Sequence, residues 1–455
     1  MFIDELLEYF DSLKLTQLTR DQYRDQIHGC LKATREKMPH VPDNVEALRN
    51  IESIADLTDR ILEFWSQQNK TVNPLRAQEN KLIANHDFFK NRSYVCAAPY
   101  TSLRFDVGGK MTVCCNNTDY PIGMYPEQTP LQAWTGTTMQ ELRQALDNYD
   151  FSKGCQQCAK FILAGNAYNT VLVSHDKIIP DVKKSMLKEW PSHIVFQHNN
   201  TCNYECIMCG GNYSSLIARN RDRIPQVNPY NTDQFLKDIE PFVANATVFE
   251  FLGGEPFLIT QHYKIWEVIK EKNPTATVNI ISNGSVLNSK VEQLLSELPH
   301  SCVHVSLDAV TPEIYAYIRR NGNIESVKNN IRRFKQLNKL GSVSVCPMIQ
   351  NIRDIPNVIK FCEEVGADLW FNDVQYALGD MWEDTHENGT SKRKQPLAPA
   401  ELPAEKIKEF RLWMLPKNEI QGHAEFLKNI VVSARYKARL DSFINYLQNY
   451  VQSLN

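Results

Sequence analysis

Hydrophobic positions follow a helical period at both ends of the chain. In residues 1–90, segments such as IDELLEYFDSL and IADLTDRILEFW place apolar side chains at i, i+3, i+4 and i+7. We therefore predict a helical N-terminal region over residues 1–90. Residues 386–455 begin with a polar, proline-rich stretch, HENGTSKRKQPLAPAELP, which predicts a linker or loop. Helical periodicity follows it to the C-terminus, so we predict a linker and a helical tail.

Strand-like apolar runs alternate with helical segments over residues 191–385. The six strand candidates are HIVFQ, TVFEFL, TVNIIS, VHVSLD, VSVCPMI and DLWFND. Strands that alternate with helices predict a parallel sheet with right-handed crossovers. We predict an α/β fold with a partial (β/α)6 TIM-like barrel over residues 191–385. Its functional residues should gather at the carboxyl ends of the strands.

Residues 91–190 show a third pattern. The segment SLRFDVGGKMTVCC predicts a β-hairpin that turns at Gly108-Gly109. A helical segment, PLQAWTGTTMQELRQALDNY, follows the hairpin and leads into GCQQC. We predict a small α+β module over residues 91–190, between the helical region and the barrel.

Composition limits the class of protein. A formal net charge of -3 does not suggest a protein that binds nucleic acid through bulk charge, so no nucleic-acid partner is expected. The acidic start, MFIDELLEYF, is unlike a secretory signal, and no apolar run approaches the roughly 20 residues of a membrane span. We expect a cytoplasmic protein without a membrane span. Most of its twelve cysteines are clustered, which in a reducing compartment favours metal ligation over disulfides.

The segment TCNYECIMCGG contains three cysteines spaced C-x3-C-x2-C, namely Cys202, Cys206 and Cys209. A structural zinc site and an ordinary four-iron cluster both take four protein ligands. Three thiolates would leave one metal position open. This triad follows the first barrel strand and resembles the signature of the radical SAM superfamily. The resemblance implies a [4Fe–4S] cluster whose fourth iron binds S-adenosylmethionine, the source of a 5′-deoxyadenosyl radical.

Other segments resemble motifs of the same family, in order, at successive strand ends. They are FLGGEP, ISNGS, VHVSLDA, YAYIRRNG and MIQN. The resemblance implies that Glu255 supports the methionyl amino group and that Arg319 binds the methionyl carboxylate. Met208 stands where the family usually has an aromatic residue. The implied cofactor contacts are Met208, Gly253, Gly254, Glu255, Pro256, Asn283, Ser306, Asp308, Arg319 and Ile349.

A second set of cysteines lies upstream of the barrel. It comprises Cys96, Cys114, Cys155 and Cys158. With the hairpin and helix between them, these cysteines resemble the Twitch and SPASM modules of radical SAM enzymes, which usually follow the barrel. The resemblance implies an auxiliary, fully ligated [4Fe–4S] cluster used in electron transfer. A zinc ribbon remains an alternative, because four cysteines also suit Zn²⁺.

The resemblance implies an enzyme that takes a hydrogen atom from its substrate. The expected substrate is a ribosomally synthesised peptide or protein that is crosslinked, epimerised or oxidised. A small metabolite such as a sugar, alcohol or amino acid is the alternative. An electron donor such as flavodoxin or ferredoxin is the expected partner. The catalytic candidates are Cys115, His304 and Cys346.

The competing class is a metal-binding scaffold without catalytic activity. Such a scaffold would need neither Glu255 nor Arg319. It would also have no use for an open metal position.

Overall fold

The computed structural model describes most of the chain from residue 74 onward. The described residues are 74–163, 167, 170–178, 181–225, 228–348, 350–372, 384–387, 390–393 and 417–453. The chain divides into two compact units, residues 1–77 and 78–455, and the sheet with its connecting helices belongs to the second. The helical region predicted for residues 1–90 lies largely outside the described residues. Only its last part is seen, in the helix Pro74–Ala84 and a short 3-10 turn at Asp87–Phe89.

One nine-stranded sheet organises the second unit. Its order is β3-β2-β1-β4-β5-β6-β7-β8-β9, and every pair from β1–β4 through β8–β9 is parallel. The strands are β1 Ser102–Asp106, β2 Lys110–Thr112, β3 Gly123–Met124, β4 His193–Gln197, β5 Val248–Phe251, β6 Thr277–Ser282, β7 Ser301–Ser306, β8 Leu340–Val345 and β9 Leu369–Phe371. The six strands predicted for the barrel are β4 to β9, so the predicted α/β fold is confirmed.

Helices connect the parallel strands. Those between β4 and β9 are Ser215–Ile217, Asp233–Asn245, Thr260–Lys272, Ser289–Glu297, Pro312–Ile318, Ile324–Gln336 and Ile355–Val365. Those before β4 are Ala98–Thr101, Pro130–Thr135, Thr137–Asp147, Gln156–Leu163, Val171–Ile178 and Val182–Met186. The C-terminal helices are Lys417–Lys428 and Ala434–Ser453. In the described residues no helix combines the length and apolar character needed to cross a bilayer.

The two faces of the sheet differ in chemistry. Phe105, Phe196 and Phe251 occupy paired positions on β1, β4 and β5, and their rings stack at 5.4 and 5.0 Å. They pack against aromatic side chains of the covering segments, such as Phe235 and Trp266. One residue earlier along each strand, side chains point the other way. That inner row contains Arg104, Val195, Glu250 and Asn279, and it is largely polar.

The predicted hairpin forms between β1 and β2, with left-handed backbone at Gly108 and Gly109. Its first strand also pairs with β4 in parallel, from Ser102 opposite His193 to Asp106 opposite Gln197. Residues 91–190 therefore share one sheet with the barrel. The domain boundaries at residues 90, 190 and 385 stay predictions.

One loop prediction is wrong. The polar segment after the barrel contains part of a two-stranded antiparallel sheet, β10 Asp384–Glu387 and β11 Thr390–Arg393. Glu387 pairs with Thr390, which leaves the dipeptide Asn388-Gly389 between the strands. Asn-Gly is a strong hairpin signal. The prediction rested on the polar, proline-rich composition of the whole segment.

Candidate functional site

The predicted cluster loop follows β4 directly and is pinned by backbone hydrogen bonds. Glu205 N–H donates to Arg320 O at 3.2 Å, and Ile207 N–H donates to Ile318 O at 3.0 Å. Both acceptors lie at the end of the helix Pro312–Ile318. The loop that carries the three cysteines is thus held against the segment that carries Arg319.

The three thiols of the loop lie near one another in a buried setting. Burial, followed by the neighbouring Cys206 and Cys202, raises the pKa of Cys209 to about 12. Burial also raises the pKa of Cys202 to about 11. Each of the three sulfurs faces an N–H group. Tyr204 N is 3.4 Å from Cys202 Sγ, and Arg319 Nη1 is 3.8 Å from Cys206 Sγ. The third sulfur, that of Cys209, faces the backbone of Gly210. Such donors stabilise thiolates once a metal replaces the protons.

Gly253 and Gly254 allow two loops to touch. A Cβ on Gly253 would overlap Asn199 O, and one on Gly254 would overlap Thr201 O. Gly254 N–H donates to Asn199 O at 3.1 Å, and Glu255 N–H donates to Thr201 O at 2.8 Å. The close approach that these glycines permit is therefore to the cluster loop itself. Pro256 then begins a short 3-10 turn that leads away from the site.

Glu255 is fully buried and bound to protein groups. Its carboxylate accepts from Ser282 Oγ at 2.9 and 3.0 Å, from Asn283 N at 2.8 Å and from Phe257 N at 3.3 Å. Burial raises its pKa to about 7. Asn283 in turn points Nδ2 toward Cys202 Sγ at 3.9 Å. Glu255 and Asn283 thereby connect the ends of β5 and β6 to the cysteine loop.

Arg319 and Asp308 form a buried ion pair. Arg319 Nε and Nη2 both donate to Asp308 Oδ2 at 2.7 Å, while Cys346 N–H donates to Asp308 Oδ1 at 2.7 Å. Asp308 has a left-handed backbone, with φ at 65°. Asn351, fully buried, donates to Asp308 O and Cys346 O. This network joins the ends of β7 and β8 and aims one guanidinium nitrogen at Cys206.

The remaining predicted contacts are distributed around this centre. Met208 packs on the buried apolar cluster of Ile207, Ile318 and Met348. Ser306 ends β7, half-buried on the inner face. Ile349 lies outside the described residues.

His304 belongs to a hydrogen-bonded chain on the inner face. Its Nδ1 is 2.8 Å from Ser342 Oγ, and its Nε2 is 3.3 Å from Cys302 Sγ, which is 3.1 Å from Asn279 Oδ1. Burial lowers the pKa of His304. The chain crosses β6, β7 and β8, so His304 is held firmly by its neighbours.

All four cysteines of the upstream set line one pocket. Its other lining residues include Val113, Leu146, Phe151, Leu172, Asn116 and His175. Each of the four sulfurs has a neighbouring N–H group. For Cys96 it is the backbone of Ala98, and for Cys114 it is the backbone of Asn116. Asn117 Nδ2 lies 3.3 Å from Cys155 Sγ, and Asn116 Nδ2 lies 4.0 Å from Cys158 Sγ. Burial raises the pKa of all four thiols. A buried apolar pocket with four sulfurs and N–H donors fits an iron–sulfur cluster.

Cys115 does not line that pocket, although the adjacent Cys114 does. Its thiol lies within electrostatic reach of Arg104 and Glu250, and burial raises its pKa. Arg104 Nε donates to Asp106 Oδ2 at 2.9 Å on the same inner face. Cys115 thus lies close both to the polar interior and to the thiols of Cys114 and Cys158.

In the part of the chain that the structure describes, no group of three or more His, Cys, Asp or Glu side chains has the arrangement expected around a single metal ion. A cubane cluster binds each thiolate to a different iron. Ligands of such a cluster are therefore expected to line one pocket together, and they need not converge on a single point.

Residues 196–362 match the model of the Radical SAM superfamily. These residues form a radical SAM domain. The match runs from β4 to the helix Ile355–Val365 and contains the cysteine loop, Glu255, Asp308 and Arg319. Radical SAM enzymes use a [4Fe–4S] cluster and S-adenosylmethionine. The chain therefore carries the domain of an enzyme family.

Known relatives match the radical SAM domain only in part. A protein from Methanocaldococcus jannaschii named "Probable GTP 3',8-cyclase" is 30% identical over 171 residues, 37% of this chain and 54% of the relative. A GTP 3',8-cyclase from Limosilactobacillus fermentum is 30% identical over 131 residues, 29% of this chain and 37% of the relative. The chain thus spans about half the length, or less, of the curated relatives it matches.

Solved structures give weaker matches. Native anSMEcpe with bound AdoMet has a TM-score of 0.36 at 21% identity and covers 54% of this chain and 63% of that chain. Streptococcus suis SuiB bound to S-adenosylmethionine has a TM-score of 0.35 at 14% identity, covering 63% of this chain and 61% of that one.

Sequence reasoning missed several residues that shape the radical SAM domain and the upstream pocket. They are Arg104, Asp106, Asn116, Asn117, His175 and Asn351. The pair Asn116-Asn117, directly after two cysteines, was a usable signal for N–H donors to sulfur. Arg104 and Asp106 carried no such signal, because their importance depends on β1 joining β4.

Proposed function

We propose that Cys202, Cys206 and Cys209 hold a [4Fe–4S] cluster and that the chain reductively cleaves S-adenosylmethionine. The observation that carries this proposal is the set of three neighbouring thiols in one pinned loop, one buried and two partly buried, each facing an N–H donor, inside a radical SAM domain. When bound, the cluster and cofactor supply an electron and a 5′-deoxyadenosyl radical that takes a hydrogen atom from the substrate. A one-electron donor of the flavodoxin or ferredoxin kind is the proposed partner.

The chain's own residues would bind and orient the cofactor. Arg319 offers a guanidinium suited to a carboxylate, and its pairing with Asp308 fixes its plane. Glu255 is held as an acceptor at the end of β5, where an ammonium group would favour its charged form. Met208 presents a thioether beside the cysteine loop, suited to packing on an adenine ring.

The upstream pocket is proposed to hold a second, fully ligated [4Fe–4S] cluster. Four sulfurs line it, so no iron would be left open for substrate. Electron transfer is the role that fits such a cluster. Strand β1 supports this arrangement, because it belongs to the module with the pocket and also forms a wall of the barrel interior.

The inner face favours a small polar substrate. Named relatives act, by their names, on GTP, which is a small molecule. The charged side chains on the described inner face are Arg104, already paired with Asp106, and the carboxylates Asp106 and Glu250. That balance suits a neutral or cationic polar compound better than a nucleoside triphosphate. The prediction of a peptide substrate stays a prediction.

The direct test is release of 5′-deoxyadenosine from S-adenosylmethionine by anaerobically reconstituted, reduced protein. We expect release by the unmodified protein and by Cys362→Ala, since Cys362 lies buried in the helix Ile355–Val365, outside the cysteine loop. Cys206→Ala should abolish release, because it removes one of three cluster ligands. Equal release from Cys206→Ala, or none from fully iron-loaded unmodified protein, would contradict the proposal.

A further inference from the structure

The pocket of the four upstream cysteines also contains a histidine, His175. It lies on the helix Val171–Ile178 and lines the pocket together with Cys96, Cys114, Cys155 and Cys158. The side chain is 5% exposed. Its Nδ1 has no hydrogen-bond partner among the residues that the structure describes. A buried polar atom without a partner is unfavourable, so the pocket should supply one when it is occupied.

The chemistry of the ring limits what that partner can be. An imidazole can donate a hydrogen bond through a ring N–H. The polar side chains around the pocket are already oriented toward sulfur: Asn117 donates to Cys155 and Asn116 points to Cys158. The hydrogen-bond acceptor that the pocket can provide for a ring N–H of His175 is therefore sulfur.

His175 also lies next to the first barrel strand. Its ring centroid lies 5.8 Å from that of His193 on β4, in an edge-on arrangement. His193 Nδ1 is 3.2 Å from Ser102 Oγ, and its Nε2 is 3.5 Å from Glu250 Oε2. Glu250 belongs to the polar inner row. His175 is therefore close both to the cysteine pocket and to the polar inner row where substrate is proposed to bind.

We propose that His175 donates an Nδ1–H hydrogen bond to a sulfur of the auxiliary cluster. This inference rests on the proposed function, in that the pocket must hold a [4Fe–4S] cluster. Hydrogen bonds to cluster sulfurs stabilise the more negative, reduced state and so raise the reduction potential. Four cysteines complete the coordination of four irons, which leaves His175 as a donor and not a ligand. The side chain thus sets how readily the auxiliary cluster accepts an electron.

The test uses the full chain with Cys202, Cys206 and Cys209 replaced by alanine, so that only the auxiliary cluster remains. Pulsed EPR of the reduced cluster, with and without ¹⁵N-labelled histidine, detects a histidine nitrogen at the cluster. Redox titration measures its midpoint potential. We compare His175→Phe, which removes the donor, with His175→Asn, whose amide nitrogen can replace Nδ1. His300→Gln, at an exposed position, is the control.

We expect the label-dependent coupling in the background protein and in His300→Gln, and its loss in His175→Phe at full iron content. The midpoint potential should fall in His175→Phe and return toward the background value in His175→Asn. An unchanged potential and spectrum in His175→Phe would overturn the inference. Loss of one iron in His175→Phe would also overturn it, because it would make His175 a ligand. A background protein that binds zinc, or no iron, would overturn the auxiliary cluster itself.

Discussion

At the scale of single residues, the cysteine loop depends on two glycines that permit backbone contact. Gly253 has φ at 119°, and both Gly253 and Gly254 leave no room for a Cβ next to the loop carbonyls. The family resemblance marks this motif as a cofactor contact. Its first physical role in this chain is to join the end of β5 to the loop before Cys202.

Replacing Gly254 with alanine should therefore distort the cysteine loop. The added methyl group would overlap Thr201 O, a backbone atom that cannot turn aside. We expect the free energy of unfolding to fall by about 1–3 kcal/mol and iron incorporation to drop. Chemical denaturation and iron analysis after reconstitution would measure both effects.

Gly422→Ala is the matched control. Gly422 lies within the helix Lys417–Lys428, and a Cβ there meets nothing within 4 Å. It should gain about 1 kcal/mol from helix propensity and retain full iron incorporation. Equal behaviour of the two variants would show that Gly254 does not position the loop.

The sequence predicts which residues gather at the site better than it predicts their partners. The cysteines, Glu255 and Arg319 can be recognised in the sequence itself, because their spacing and the order of their motifs are visible there. That Arg319 pairs with Asp308, and that Asn351 donates to Asp308 O and Cys346 O, follows from loop geometry at two different strand ends. No local pattern in the sequence encodes such a contact.

At the scale of elements, the aromatic row on the outer face fixes the register of β1, β4 and β5. Phe196 is the central ring, stacked on Phe105 at one side and on Phe251 at the other. A slip of one residue would turn this row inward and expose the polar row to the helices. The row therefore also places Arg104, Asp106 and Glu250 on the inner face.

Phe196→Ala should be strongly destabilising, because it empties the middle of that row. Truncating a fully buried phenylalanine costs about 3–5 kcal/mol. Tyr317→Ala is the control, since Tyr317 is 48% exposed and should change stability by less than about 1 kcal/mol. Urea unfolding followed by circular dichroism would compare them. A loss below about 1 kcal/mol in Phe196→Ala would contradict the role given to the row.

Strands and turns could be predicted where they depend on residues that are close together in the sequence. Strands β4 and β6 cover the predicted segments HIVFQ and TVNIIS. The turn at Gly108-Gly109 follows from two residues. The parallel pairing of β1 with β4 was not predicted, because the two strands are far apart along the chain and many pairings satisfy the same alternation. The helix Thr260–Lys272 also has a local pattern, because its buried Ile265, Trp266 and Ile269 follow a helical period.

At the scale of the whole second unit, one sheet connects two sets of cysteines. The loop after β4 carries Cys202, Cys206 and Cys209, while the hairpin of β1 and β2 leads to Cys114 in the upstream pocket. The inner face of the same sheet carries Arg104, Glu250 and His304. The proposed assignment is therefore one open cluster and one closed cluster attached to a single sheet.

The most direct test of this assignment is the EPR spectrum of the reduced, reconstituted protein with and without S-adenosylmethionine. We predict two cluster signals, of which one changes when the cofactor is added. That signal should be absent after Cys202, Cys206 and Cys209 are replaced by alanine, and the unchanged signal should persist. Two signals that both ignore the cofactor, or the loss of both in the triple variant, would contradict the assignment.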